Sequence, residues 1–416
     1  MRVFKFGGAS VKDANGVKNV ISVLEKIGHE NILIVVSAMG KTTNALEVVI
    51  DKYLNDKENY KSELQTIKHY HHQIMLDLFG NTRPVVFELV NVLFKELLQF
   101  FTSNKSPNYN FIYDQVIGFG ELVSTTIISN YLNEKHFNNT WLDVRQCIKT
   151  DDYYRSANVD WNLTQDIITK VVKPNTLYIT QGFLGSDSNN FTTTLGREGS
   201  DYTAAIFAYC LNAESVTIWK DVPGVLNGDP RHFKNTQLLN TISYTEAIEL
   251  AFYGASVIHP KTLQPLQRKE IPLHVKSFLN PENNGTTVDK SIGIEPQLPC
   301  FILKQNQVLL SLSTLDFSYV VEENISEIFN LLSHYKMKVD VIQNSAISFS
   351  VCIDNNYNNL EKLLLHLKAK FKVTCHENVS LYTIRHYDEA SIKNLEKDKT
   401  VLLKQLFQQT VQIVTQ

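Results

Sequence analysis

The sequence predicts an α/β protein, a mainly parallel sheet with helices on both faces, followed by α+β modules of ferredoxin-like order. Three observations carry this. Short apolar runs bounded by turn residues alternate with helical stretches along the front of the chain. One of them, Ile32 to Val36, is apolar throughout, as a central parallel strand requires. The tail from Val308 reads strand, helix, strand, strand, helix, strand.

Val3 to Phe6 opens the sheet, and Ser10 with Asp13 resembles a capping box for a helix carrying Val17, Val20, Ile21 and Leu24 on one face. A mostly helical stretch from Ala45 to Leu132 follows. Strands return at Trp141 to Val144, Thr176 to Thr180, Val216 to Trp219 and Leu273 to Ser277, and an Ala-rich helix is expected over Asp201 to Leu211 with Ser200 as its cap. Turn residues at Asn280 to Thr287 and a proline-bearing loop at Ser291 to Pro299 mark a boundary. The expected domains are therefore 1–295, a βαββαβ module over 300–378, and a shortened repeat over 379–416. That repeat stops before its second helix, so its missing edge needs either Cys300 to Lys304 or another subunit.

With 416 residues, 43% of them hydrophobic, the chain can build two or three cores. Its 40 basic and 43 acidic residues leave a charge of -3, which gives no whole-chain field for nucleic acid. The front of the chain shows no long apolar run, and no stretch suits a membrane span, so a cytoplasmic location is expected. The five scattered cysteines read as reduced core thiols. His69, His71 and His72 read as a solvated helix face, since no carboxylate or cysteine completes a ligand set.

Six stretches carry chemistry. Lys5-Phe6-Gly7-Gly8-Ala9-Ser10 runs a strand into two glycines and a helix start, an arrangement that favours an anion. Ser37 to Asn44 ends in Gly40-Lys41-Thr42, yet Val35 stands where a Walker A loop needs glycine; its hydroxyls, Ser37, Thr42 and Thr43, suit oxyanion binding instead. Gly118 to Ser124 places Glu121 near the start of a helix, where a solvated side chain is the plainer reading. Thr194 to Asp201 brings Arg197, Ser200 and Asp201 to a helix mouth, and arginine forks onto carboxylates. Trp219 to Arg231 is a strand-to-loop passage rich in charge, of the kind that binds ligands at the carboxyl ends of strands. In Gly254 to Lys261, His259 before Pro260 reads as a packed or capping residue.

In this order and spacing, the six stretches resemble the aspartate kinase branch of the amino acid kinase family, over nearly the whole chain. The tail resembles the ACT modules that bind effectors and dimerise such kinases. Four positions depart from the family pattern: Ala9 stands for threonine, Glu198 for glycine, Leu226 for tyrosine, and Ser256 for a nucleotide-contacting lysine.

The resemblance implies ATP-dependent phosphorylation of the L-aspartate side chain, the first step toward lysine, threonine and methionine, with Mg²⁺ held mainly by ATP. Lys5, Gly8 and Asp201 are then the catalytic set, and Ser37, Thr43, Glu121, Arg197 and Ser200 hold aspartate. Lys5, Gly7, Gly8, Ser10, Lys220, Asp221, Asp229, Arg231 and Ser256 hold the nucleotide. A homodimer or higher homo-oligomer and an amino-acid effector at the tail are also implied. Two alternatives stay open: a sibling kinase with another substrate, and a regulatory pseudokinase that binds amino acids without turnover.

Overall fold

Strand β1 (Arg2–Phe6) lies parallel to β2 (Ile32–Val36) on one side and to β7 (Ser215–Lys220) on the other. In this computed structural model, which describes residues 1–56, 59–81, 84–255, 258–316, 318–355 and 358–416, packing divides the chain into two units. Unit 1 is Met1–Val225, Leu238–Ile248 and Val257–Gly293; unit 2 is Leu226–Gln237, Glu249–Ser256 and Ile294–Gln416. Two excursions from the 1–295 segment therefore pack with the tail, which no composition shift announces.

In unit 1 the sheet continues from β2 through β4 (Tyr178–Gln181) to β3 (Thr140–Leu142), all parallel. On the other side, β7 is followed by parallel β9 (Leu273–Ser277), then antiparallel β10 (Thr286–Asp289), then β8 (Thr241–Ser243). A separate hairpin joins β5 (Leu184–Ser186) to β6 (Thr192–Thr194). Every residue of β2 is buried, as a strand covered on both faces must be.

Helix α1 (Ala14–Ile27) starts at Asp13, whose carboxylate accepts from Gly16 N at 2.8 Å. Asp13 alone is the cap, because Ser10 belongs to the 3₁₀ turn Gly8–Val11 and its hydroxyl donates to Trp219 O at 3.3 Å. The helical middle comprises α2 (Thr42–Asn55), α3 (Tyr60–Phe79), α4 (Pro84–Ser103), α5 (Tyr109–Ile117) and α6 (Phe119–Glu134). His71 corrects the solvated-face expectation. It is fully buried beside Leu64, Ile67, Ile74 and Met75, a three-four spacing, and burial pulls its pKa down to about 4. The strand expected to reach Val144 ends at Leu142, since Asp143 accepts from Arg145 N at 3.0 Å and opens the short helix α7 (Val144–Cys147). After α8 (Trp161–Val171), helix α9 (Gly199–Leu211) packs against β1, β2 and β7. Ser200 lies inside its first turn rather than capping it. Helices α10 (Tyr244–Tyr253) and α11 (Pro260–Arg268) follow, the latter capped by His259 Nδ1, which accepts from Lys261 N at 3.2 Å.

The tail segment of unit 2 begins with the short strand β11 (Ile294–Glu295), and the unit's own sheet is antiparallel. Its order is β13 (Lys338–Asn344), β14 (Phe349–Asp354), β12 (Cys300–Thr314), β15 (Phe371–Arg385), β17 (Thr410–Thr415), β16 (Val401–Phe407). Helices α12 (Glu322–His334) and α13 (Leu360–Lys368) share one apolar cluster, and α14 (Glu389–Glu396) another. β12 and β15 are each long enough to serve both βα modules. The front of β12 pairs Cys300 with Arg385 and Lys304 with Leu381, so Cys300 to Lys304 covers the edge that the clipped repeat lacks. Among the described residues, no helix is long and apolar enough to cross a membrane.

The unit 1 core is anchored by Trp219, set edge-on to Phe4 at 5.6 Å and stacked on Phe6 at 6.1 Å. Its indole Nε1 makes no hydrogen bond among the described residues. Trp219→Ala should therefore cost about 3–5 kcal/mol in urea unfolding, whereas Trp219→Phe should cost under about 1.5 kcal/mol because no buried acceptor is orphaned.

Candidate active site

Alternation along β1 sends Phe4 and Phe6 into the core shared with α1, so Lys5 points to the opposite face, that of α9. There its Nζ lies 2.6 Å from Asp201 Oδ1, with the two side chains only 11% and 4% exposed. Asp201 sits in the first turn of α9, where the helix dipole favours a carboxylate. A buried pair of this kind adds little net stability, because desolvation offsets the attraction.

The loops after β1 and β2 touch here. A Cβ on Gly8 would lie 2.7 Å from Ala38 O and 2.9 Å from Gly40 O, too close for any side chain. Gly40 N donates to Gly8 O at 3.0 Å, and Ser37 N to Phe6 O at 3.1 Å. Thr42 departs from the expected oxyanion role: its buried hydroxyl donates to Met39 O at 2.6 Å.

Glu121 departs from the solvated reading too. It is 3% exposed, and Gly120 beside it packs so closely on Ala38 that a Cβ there would stand 3.0 Å from the alanine methyl. Its Oε1 accepts from Ala38 N at 3.3 Å, while Oε2 is buried with no hydrogen-bond partner among the described residues. Burial pushes its pKa up to about 8, against the pull of the Ala38 N–H and the Lys5 charge.

The β5–β6 hairpin delivers Gly196, Arg197 and Glu198 to the start of α9. Glu198 has φ of 53°, the left-handed region, which is a physical reason for glycine in the family pattern. Burial and the neighbouring Asp201 raise its pKa, and its Oε2 is buried without a hydrogen-bond partner among the described residues.

These loops enclose a cleft of about 490 Å³ outside the carboxyl ends of β1, β2 and β7, where open α/β sheets bind ligands. Lys5, Gly8, Ser37, Thr43, Glu121, Arg197, Ser200, Asp201 and Lys220 all line it. Gly7, Ser10 and Asp221 are not among its lining residues, although a Cβ on Gly7 would come 3.3 Å from Lys5 Nζ. Asp229 and Arg231 belong to unit 2 and grip each other, with Arg231 Nε 3.0 Å from both carboxylate oxygens. That contact holds the Asp229 pKa down at about 2. Ser256 lies outside the described residues. Arg155, Tyr113, Phe183 and Glu198 also line the cleft and were not singled out as site residues from the sequence.

Glu121 yields a pH test. Its folded pKa, about 8, exceeds the ordinary 4.5, so the folded protein holds an extra proton between those values. Stability contributed by the protonated form is therefore lost as pH rises through that window. Thermal melts should show Glu121→Gln more stable than wild type at pH 8 and nearly equal at pH 4.5.

Residues 1–277 match the amino acid kinase family. The lysine-sensitive aspartokinase 3 of Escherichia coli is 33% identical over 348 residues, covering 82% of this chain and 76% of that one. The bifunctional aspartokinase/homoserine dehydrogenase 2 of Arabidopsis thaliana is 32% identical over 297 residues, but this chain spans only 32% of its length. Solved structures of E. coli aspartokinase III, one with lysine and aspartate and one with aspartate and ADP, superpose with a TM-score of 0.82 at 28% identity. They match 100% of this chain, and 95% and 96% of theirs. The chain belongs to the amino acid kinase family and, within it, to the aspartokinases.

Proposed function

We propose that this aspartokinase transfers the γ-phosphoryl group of ATP to the side-chain carboxylate of L-aspartate, giving 4-phospho-L-aspartate and ADP on the route to lysine, threonine and methionine. The observation that carries the reading is the buried Lys5–Asp201 pair, which opens on the same cleft as the half-satisfied carboxylate of Glu121.

A carboxylate with a reference pKa of about 4 is already ionised at neutral pH, so the attacking oxygen needs no general base. It forms a bond to the γ-phosphorus as the bond to the β,γ-bridging oxygen breaks, and ADP leaves with that electron pair. The obstacle is repulsion between two anions, and catalysis is positioning plus charge neutralisation. Lys5, oriented by Asp201, supplies a fixed cation for the transferring group. Gly8 lets phosphate oxygens approach the backbone. Glu121 Oε2 takes the substrate ammonium, and Arg197 takes the α-carboxylate. Ser37 and Thr43 orient the attacking group, Ser200 helps to hold aspartate, and Lys220 faces the nucleotide side.

Mg²⁺ would be carried mainly by the nucleotide. Asp201 and the spare oxygen of Glu198 would accept from its hydration shell; bound there, the ion would neutralise phosphate charge. Unit 2 is the place for an amino-acid effector in this reading, and lysine, bound in the E. coli enzyme, is the first candidate. A homo-oligomer acting in the cytoplasm goes with it.

With Mg²⁺, ATP and aspartate the wild type should release ADP, and Lys5→Ala should lower kcat about a thousandfold while shifting the KM for ATP only a few-fold. Undiminished turnover in the variant, or a preference for glutamate or a nucleoside monophosphate over aspartate, would overturn the proposal. So would aspartate binding without ADP release.

A further inference from the structure

Arg155 lies far in sequence from every stretch that carries the family resemblance, yet it lines the cleft together with Arg197. Its backbone is held in the left-handed region, φ 71°, which non-glycine residues seldom occupy without a compensating contact. That contact is Asp114. Fully buried in α5, its carboxylate accepts from Arg155 N with both oxygens, at 3.1 and 3.0 Å. The same carboxylate accepts from Thr194 N and Thr194 Oγ1, both at 2.8 Å.

Thr194 ends β6, three residues before Arg197. Ala157 N also donates to Thr194 O at 2.9 Å, and a Cβ on Gly196 would lie 3.3 Å from Arg155 O. One carboxylate thus ties together the two loops that present arginines to the cleft. The Arg155 guanidinium stands 4.5 Å over the Tyr113 ring. Tyr113 is itself fixed, donating from its hydroxyl to Glu47 Oε1 at 3.0 Å. Neither Arg155 nor Arg197 is in an ion pair with a carboxylate among the described residues. Two arginines that line one cleft on loops held by one buried anion form a receptor for an anion larger than a single oxygen.

We infer that Arg155 is a second substrate-binding arginine, which closes with Arg197 on the α-carboxylate of the amino-acid substrate, and that Asp114 is the residue positioning both. This rests on the functional reading above and sharpens it. A planar carboxylate has two oxygens, and one fork on each selects a free α-carboxylate over an amide. The arrangement therefore rejects substrates whose α-carboxyl is blocked.

The test compares wild type, Arg155→Ala, Arg155→Lys, Asp114→Asn and the Asp114→Asn/Arg155→Ala double variant, using L-aspartate and its α-amide with ATP and Mg²⁺. Arg155→Ala should raise the KM for aspartate roughly tenfold or more, leave the KM for ATP near wild type, and shrink the preference for aspartate over the α-amide by a similar factor. Arg155→Lys should restore part of the loss. The double variant should be less impaired than the product of its single effects, because Asp114 acts through Arg155. Arg155→Ala with a wild-type KM and undiminished discrimination against the α-amide would overturn the inference, whatever its thermal stability. Calorimetric titration with aspartate reads the same contrast without turnover. Wild type that binds aspartate but forms no ADP would refute the reaction, and the Arg155→Ala affinity would still decide this residue.

Discussion

Two anions must meet in this cleft, and the structure answers with the ion pair between Lys5 and Asp201 at 2.6 Å. Everything around the pair serves its placement. β1 carries Lys5 in the middle of the parallel sheet, its register set by β2 and β7. α9 supplies Asp201 from its first turn, and the glycine contacts of the β1 and β2 loops bring backbone where a side chain would block it. Desolvation makes such a pair costly to bury, and the same desolvation gives its charge reach in the cleft.

Strained backbone and unmet polar groups are present at the cleft too. Glu198 and Arg155 adopt left-handed backbone, Glu121 is buried with one oxygen unmatched, and Asp114, raised to about pKa 6 by burial, ties two loops at once. Each is unfavourable taken alone. Together they describe a pocket organised for ligand charges rather than for the stability of the empty protein.

Much of this was legible in sequence, for reasons specific to each element. Ile32 to Val36 and Leu273 to Ser277 are apolar or alternating runs between turn residues, and their strands fall where the pattern places them. Lys5, Arg197 and Asp201 stand in local motifs, so their shared cleft could be anticipated. His71 could not be placed by its neighbours, since its burial depends on which face of α3 turns inward. Thr42 was misread because its hydroxyl finds a carbonyl three residues back, an option open to any helix-start threonine. Arg155 left no motif at all; Asp114, which fixes it, is 41 residues away. That β12 and β15 each run through two modules was also hidden, because a long strand and two short ones share one alternation.

The most direct test is a structure of the chain with aspartate and a non-hydrolysable ATP analogue. The account predicts a γ-phosphate oxygen at about 3 Å from Lys5 Nζ, with the aspartate ammonium on Glu121 Oε2. Phosphates bound away from Lys5, with its pair to Asp201 sealed from the nucleotide, would contradict it.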